Sequence, residues 1–117
     1  MIRVKRLYEP AEPADGKRFL VDRLWPRGIK KEALQIEAWW KEVAPSNGLR
    51  KWYGHDPKKW GEFKRRYFAE LNTNPTGLTE LLAAARESDL TLLFSTKEME
   101  RNNAAALKEY LESKLSQ

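Results

Sequence analysis

Cysteine is absent from this 117-residue chain, which removes disulfides and thiolate metal sites. Histidine is almost absent: His55 stands alone, with no HExxH pattern or paired histidines, so no metal site is expected. There is no glycine-rich phosphate loop and no Walker pattern, which argues against a nucleotidase built on those motifs. No apolar run approaches the roughly 18 residues of a membrane span. The first twenty residues carry Arg3, Lys5, Arg6 and Glu9 without the apolar stretch of about 7 to 15 residues of a secretory leader. The expectation is a cytoplasmic protein with no membrane association and no cofactor.

What is present is charge and tryptophan. The 22 lysines and arginines exceed the 17 acids, leaving a net charge of +5. That surplus favours an acidic partner but is too small to choose among a phosphorylated metabolite, nucleic acid and anionic lipid. With 33% charged and 41% hydrophobic residues, the composition is that of a folded domain and not of a disordered tail. Five tryptophans are many for this length, and their large apolar bodies suit cores, pockets and partner surfaces alike.

Along the chain, residues 2–7 alternate apolar and basic, the period of a half-exposed strand. Residues 9–16, with two prolines, a glycine and three acids, read as a loop. Residues 18–25 return to strand composition, and Pro26 with Gly28 end that strand within Trp25-Pro26-Arg27-Gly28. Residues 30–42 read as helical, in one or two pieces, through Leu34, Ile36, Trp39 and Trp40. Ser46 is placed to cap a short helix that Gly54 ends. Asp56-Pro57 is a helix start, followed by Trp60, Phe63, Tyr67 and Leu71 at spacings of three and four. A further helix spans roughly 76–87, a strand buried on both faces spans 90–95, and a final helix runs from about 102 to 115. The pattern predicts an α/β fold: one small domain over residues 1–117, three-layered, with a short parallel or mixed sheet of about three strands flanked by helices.

Open α/β sheets bind ligands beyond the carboxyl ends of their strands. One such end carries Asp22, Arg23, Trp25 and Arg27. Arg23 and Arg27 form a fork for phosphate or carboxylate in one reading; in the other, Asp22 and Arg23 are structural ions. The second end, Ser95-Thr96-Lys97, leads into the N-terminus of the last helix, where Ser95 and Lys97 add donors to an anion cradle, or where Thr96, Asn102 or Asn103 simply caps the helix. Arg50 is placed to reach the same pocket or to pair with an acid. His55 beside Asp56 is the candidate acid–base group, and Asp56 itself is better explained as a cap. Lys58, Lys59, Lys64, Arg65 and Arg66, interleaved with Trp52, Tyr53, Trp60 and Tyr67, suggest a single-stranded nucleic-acid surface, although helical spacing turns Trp60 and Tyr67 inward and makes these cations a solvated face. No nucleophile stands out, since Ser46 and Ser95 lack a visible base.

Val21-Asp22-Arg23-Leu24-Trp25-Pro26-Arg27-Gly28, with Ala44-Pro45-Ser46, Leu49-Arg50, Gly54-His55-Asp56, Glu70-Leu71 and Asn102, resembles the YeaO-like family of bacterial domains of unknown function over nearly the whole chain. The resemblance implies a small cytoplasmic α/β domain and carries over little chemistry. It departs in the last loop, where relatives look more like Ser-Ala-Lys-Asp and often place a histidine before the asparagine. Here the loop is Ser95-Thr96-Lys97-Glu98, and Arg101 precedes Asn102, so chemistry resting on a histidine at that position is missing. The leading expectation is a small-molecule site for an anion, enzymatic or not. A nucleic-acid-binding module and a non-catalytic regulatory protein are the alternatives.

Overall fold

The computed structural model describes residues 1–117. Three strands, β1 (Ile2–Arg6), β2 (Lys17–Leu20) and β3 (Ala38–Trp39), are followed by three helices, α1 (Asn47–Tyr53), α2 (Trp60–Asn72) and α3 (Leu78–Glu87), and then by a fourth strand, β4 (Leu90–Phe94), and a fourth helix, α4 (Asn103–Leu115). The strands form one sheet in the order β1-β4-β2-β3, parallel throughout. The nearly continuous apolar run of β4, interrupted only by Thr91, is explained by its inner position: all five of its residues are buried. No helix is long and apolar enough to cross a membrane.

Register decides what each face carries. Val4 lies opposite Leu92, and Leu92 opposite Phe19. Because strand side chains alternate, Ile2, Phe19, Val21, Leu90, Leu92 and Phe94 share one face, where they pack with the inner sides of all four helices. Leu20 and Leu93 face the other way, into a smaller cluster with Leu7 and Leu34, flanked by Trp25, Ile29, Ile36 and Trp39. No helix contributes to that second cluster. The α/β class and short parallel sheet are therefore as the patterns imply, but the sheet has four strands, and its second cover is irregular chain from residues 7–16 and 24–37.

Two local expectations are corrected. Residues 30–42 are not helical: 3₁₀ turns at Lys31–Ala33 and Lys41–Val43 bracket β3. The backbone runs along the open edge of β2 instead, with the Glu37 N–H donating to the Arg18 carbonyl at 2.6 Å and the Trp40 N–H to that of Leu20 at 2.9 Å. Isoleucine and paired tryptophans suit a half-buried edge, and ladder pairing outweighs local helix propensity. The second correction is that β2 stops at Leu20 instead of reaching Trp25. Val21 still donates to Leu93, at 3.2 Å, but β4 itself ends at Phe94, so no ladder partner exists beyond.

β1 and β2 are parallel yet joined by residues 7–16 alone, a short crossover for parallel strands. An ion cluster holds that crossover down. The buried Asp15 carboxylate accepts from Arg18 Nη1 at 2.6 Å and Lys5 Nζ at 3.1 Å, while Thr91 Oγ1, in the middle of the sheet, donates to the Asp15 carbonyl at 2.8 Å.

Candidate functional site

β2 and β4 are neighbours, but the chain leaves them in opposite directions. After β2 it joins the irregular cover; after β4 it enters α4 on the helical face. A crevice between the two strand ends follows from that divergence. It holds a cavity of about 310 Å³, bounded by residues 22–27 after β2, Ser95 and Thr96 after β4, residues 101–103 at the start of α4, the Ala44-Pro45 turn, Arg50 and Tyr53 of α1, His55 and Phe63.

Asp22 is the staple of this crevice. One carboxylate oxygen accepts from the Ser95 N–H at 3.0 Å and its hydroxyl at 2.7 Å, and the other accepts from Asn103 Nδ2 at 3.1 Å. It joins the ends of β2 and β4 to α4 through neutral donors and pairs with no arginine. Arg23 reaches across to the Ala44-Pro45 turn, donating to the Ala44 carbonyl at 2.9 Å and the Pro45 carbonyl at 3.1 Å. Both residues lie past the end of β2, so neither belongs to a face of the sheet.

The α1 side is built by local signals. Ser46 caps the helix, accepting from the Leu49 N–H, and its hydroxyl donates to Glu70 of α2 at 2.6 Å. Gly54 ends the helix in the left-handed region, and His55 follows there with φ 57°. With the Asp56 N–H donating to the Tyr53 carbonyl at 3.0 Å, this is a turn with two positive φ angles, which a non-glycine residue adopts only at a cost. Asp56 caps the next turn through the Lys58 N–H at 3.0 Å. The Tyr53 hydroxyl donates to the Arg101 carbonyl at 3.0 Å, and burial, followed by the nearby Glu98 charge, pushes that phenol above its ordinary pKa, so it remains a neutral donor.

On the α4 side, Asn102 caps the helix through the Ala105 N–H at 2.8 Å and donates to the Glu98 carbonyl at 2.8 Å. The Glu98 carboxylate accepts from the N–H groups of Arg101 and Glu100, which hold its carboxyl below the usual range. The loop from 95 to 102 is thus tied to itself, and Arg101 is left at the crevice.

Four arginines, Arg23, Arg27, Arg50 and Arg101, line the cavity with His55, against the single acid Asp22. None of these five basic residues takes part in an ion pair. Arg50 spends one hydrogen bond on Asn47, at 3.2 Å. Trp25 also lines the cavity, but its indole N–H donates to the Ile29 carbonyl at 2.7 Å and its ring meets Trp39 edge-on. The structure therefore brings Arg23, Arg27, Arg50, Trp25, Ser95 and His55 together. Lys97 is exposed and does not line the cavity, because the chain turns at Glu98 toward α4; Ser46 and Asp56 lie outside it as caps. Sequence reasoning did not place Arg101, Tyr53 or Phe63 at this site. Arg101 carried one usable signal: it directly precedes a helix cap that follows a strand end.

A family profile described as the inactive DUF488-N3 subclade matches residues 1–117. The uncharacterized protein YeaO of Escherichia coli K12 is 44% identical over 112 residues, which cover 96% of this chain and 97% of that one. The uncharacterized protein Rv3073c of Mycobacterium tuberculosis H37Rv is 43% identical over 110 residues, 94% of this chain and 92% of its own. No solved structure matches the chain.

Proposed function

This chain belongs to the YeaO-like family, in the inactive DUF488-N3 subclade, and on that premise we propose that the cavity binds a small phosphate- or carboxylate-bearing ligand without transforming it. The observation that carries this is the convergence of Arg23, Arg27, Arg50, Arg101 and His55 on one cavity whose only acid is already hydrogen-bonded. Guanidinium groups without acidic partners are suited to bidentate capture of such anions. Binding without turnover is favoured by the missing nucleophile–base pair. The Ser95 hydroxyl is turned onto Asp22, the Ser46 hydroxyl onto Glu70, and the subclade's description as inactive agrees. A cytoplasmic setting belongs to the same proposal.

The nucleic-acid alternative is less well supported. Trp52 is covered by the Arg66 guanidinium at 4.1 Å and the Lys59 ammonium at 5.0 Å, which compete with base stacking, and Arg65 and Arg66 are both bound to Glu62.

A thermal-shift screen against phosphate, sulfate, nucleotides, sugar phosphates, dicarboxylates and short DNA or RNA separates the two. One class of small anion is expected to raise the melting temperature, by the equivalent of about 2.7 kcal/mol at a hundredfold excess over Kd. Arg27→Ala, at an exposed side chain, is expected to change the free protein's stability by no more than about 0.5 kcal/mol and to cut that shift to about half at the same ligand concentration. Oligonucleotide binding that collapses with salt, with no response to small anions, would replace the pocket with a nucleic-acid surface.

A further inference from the structure

The cavity changes character from its inner wall to its mouth. Tyr53, Phe63, Ala44, Pro45 and Pro26 are buried, whereas Arg27, Arg50, Arg101, His55 and Leu24 are exposed. The rings of Tyr53 and Phe63 stack with centroids 4.4 Å apart, and Phe63 stacks in turn on Trp60 at 5.6 Å, which makes that wall rigid. The side-chain donors deeper in are committed. Arg23 donates to two carbonyls, the Ser95 hydroxyl to Asp22, and the Asn102 and Asn103 amides to the Glu98 and Val21 carbonyls. Uncommitted guanidinium groups are therefore concentrated at the mouth, and the interior offers mostly apolar and aromatic surface. At about 310 Å³ the space is that of an organic ligand, within the common range of roughly 300–1,000 Å³, and larger than one inorganic anion fills.

Resting on the anion-site reading above, we infer that the ligand is amphipathic: a flat aromatic or heteroaromatic body lies against the Tyr53–Phe63 wall and carries a phosphate or carboxylate held at the mouth by Arg27, Arg50 and Arg101. Because the Phe63 ring is stacked on Tyr53 and on Trp60, an aromatic body meets this wall edge-to-face, a favoured aromatic arrangement, and removes apolar surface from water, while the anion stays where free guanidinium groups are available. Leu24, 63% exposed at the mouth, is then positioned to cover the bound ring.

Calorimetric titration with four probes tests this on the whole chain: phenyl phosphate, benzoate, inorganic phosphate and phenol. Phenyl phosphate or benzoate is expected to bind at least about tenfold more tightly than inorganic phosphate, and phenol not to bind measurably. The ranking of phenyl phosphate against benzoate identifies the anion. Arg27→Ala should weaken the anionic probes roughly tenfold. Phe63→Leu, which keeps apolar bulk and removes the ring, should weaken phenyl phosphate at least about fivefold and leave inorganic phosphate unchanged. Should that variant fail to fold, the probe series on the native chain still decides. Inorganic phosphate binding as tightly as phenyl phosphate overturns the aromatic body and leaves the anion site standing. Phenol binding as tightly as phenyl phosphate overturns the anion site and with it the amphipathic ligand, and no probe binding at about 10 millimolar overturns both the ring and the anion.

Discussion

His55 holds a left-handed conformation that glycine would take freely, and it does so at the rim of an arginine-lined cavity. Backbone strain of this kind persists where the side chain has a use. His55→Gly is therefore expected to keep or slightly raise stability, by up to about 1 kcal/mol in urea unfolding, while weakening anion binding. A clear loss of stability with unchanged binding would make His55 a packing residue instead. The other residues of the crevice divide by what their polar atoms already do. Asp22 and Arg23 bond to the protein and shape the site; Arg27, Arg50 and Arg101 remain available to a ligand. Sequence could nominate Arg23 and Arg27 through their neighbours, but it could not distinguish the engaged guanidinium from the free one, because the carbonyls of Ala44 and Pro45 lie more than twenty residues away.

Elements with strong local signals were legible. Ser46 and Gly54 bound α1, Asp56-Pro57 precedes α2, and Asn102 caps α4, each where side-chain chemistry places it. β3 was not, because its helix-compatible sequence becomes extended only when β2 offers an edge. The crossover from β1 to β2 depends similarly on one close approach. Gly16 has φ 64° and ψ −139°, and a Cβ there would overlap the Asp89 carbonyl, which accepts from the Lys17 N–H at 3.1 Å at the start of β2. Gly16→Ala is accordingly expected to cost at least about 2 kcal/mol, read as a lower urea midpoint with unchanged slope. A neutral result would mean that the crossover relaxes without disturbing β2.

At the scale of the whole molecule, stability should fail in acid through the cluster over the crossover. Burial opposes the charge of Asp15, but Arg18, the Glu12 N–H and Lys5 together hold its carboxyl below the ordinary 3.8. A depressed folded value contributes stability that is present above the unfolded pKa and is lost as pH falls through the folded one. The urea midpoint should therefore hold steady down to about pH 5 and fall below about pH 4. Asp15→Asn should cost about 3 kcal/mol at neutral pH, because it leaves Arg18 and Lys5 without their buried partner, and it should flatten the acid limb. An acid limb identical in the variant would place the titrating group elsewhere. At the alkaline end the sign reverses: Lys5, raised above 10.5 chiefly by its bond to Glu12, supports the fold below that pH and stops doing so as pH rises through its folded value.

The sequence by itself determined the α/β class, the buried central strand, the boundaries of the capped helices and the basic character of the strand ends. These follow from periodicity, caps and composition, all of which act within a few residues. Only the tertiary structure decided that irregular chain and not helix covers the second face, that residues 38–39 pair as a strand, and that Arg27, Arg50 and Arg101 share a cavity walled by Tyr53 and Phe63. Those outcomes depend on which strand edges remain open and on where β2 and β4 send the chain. Such contacts join residues tens of positions apart, and no local pattern encodes them.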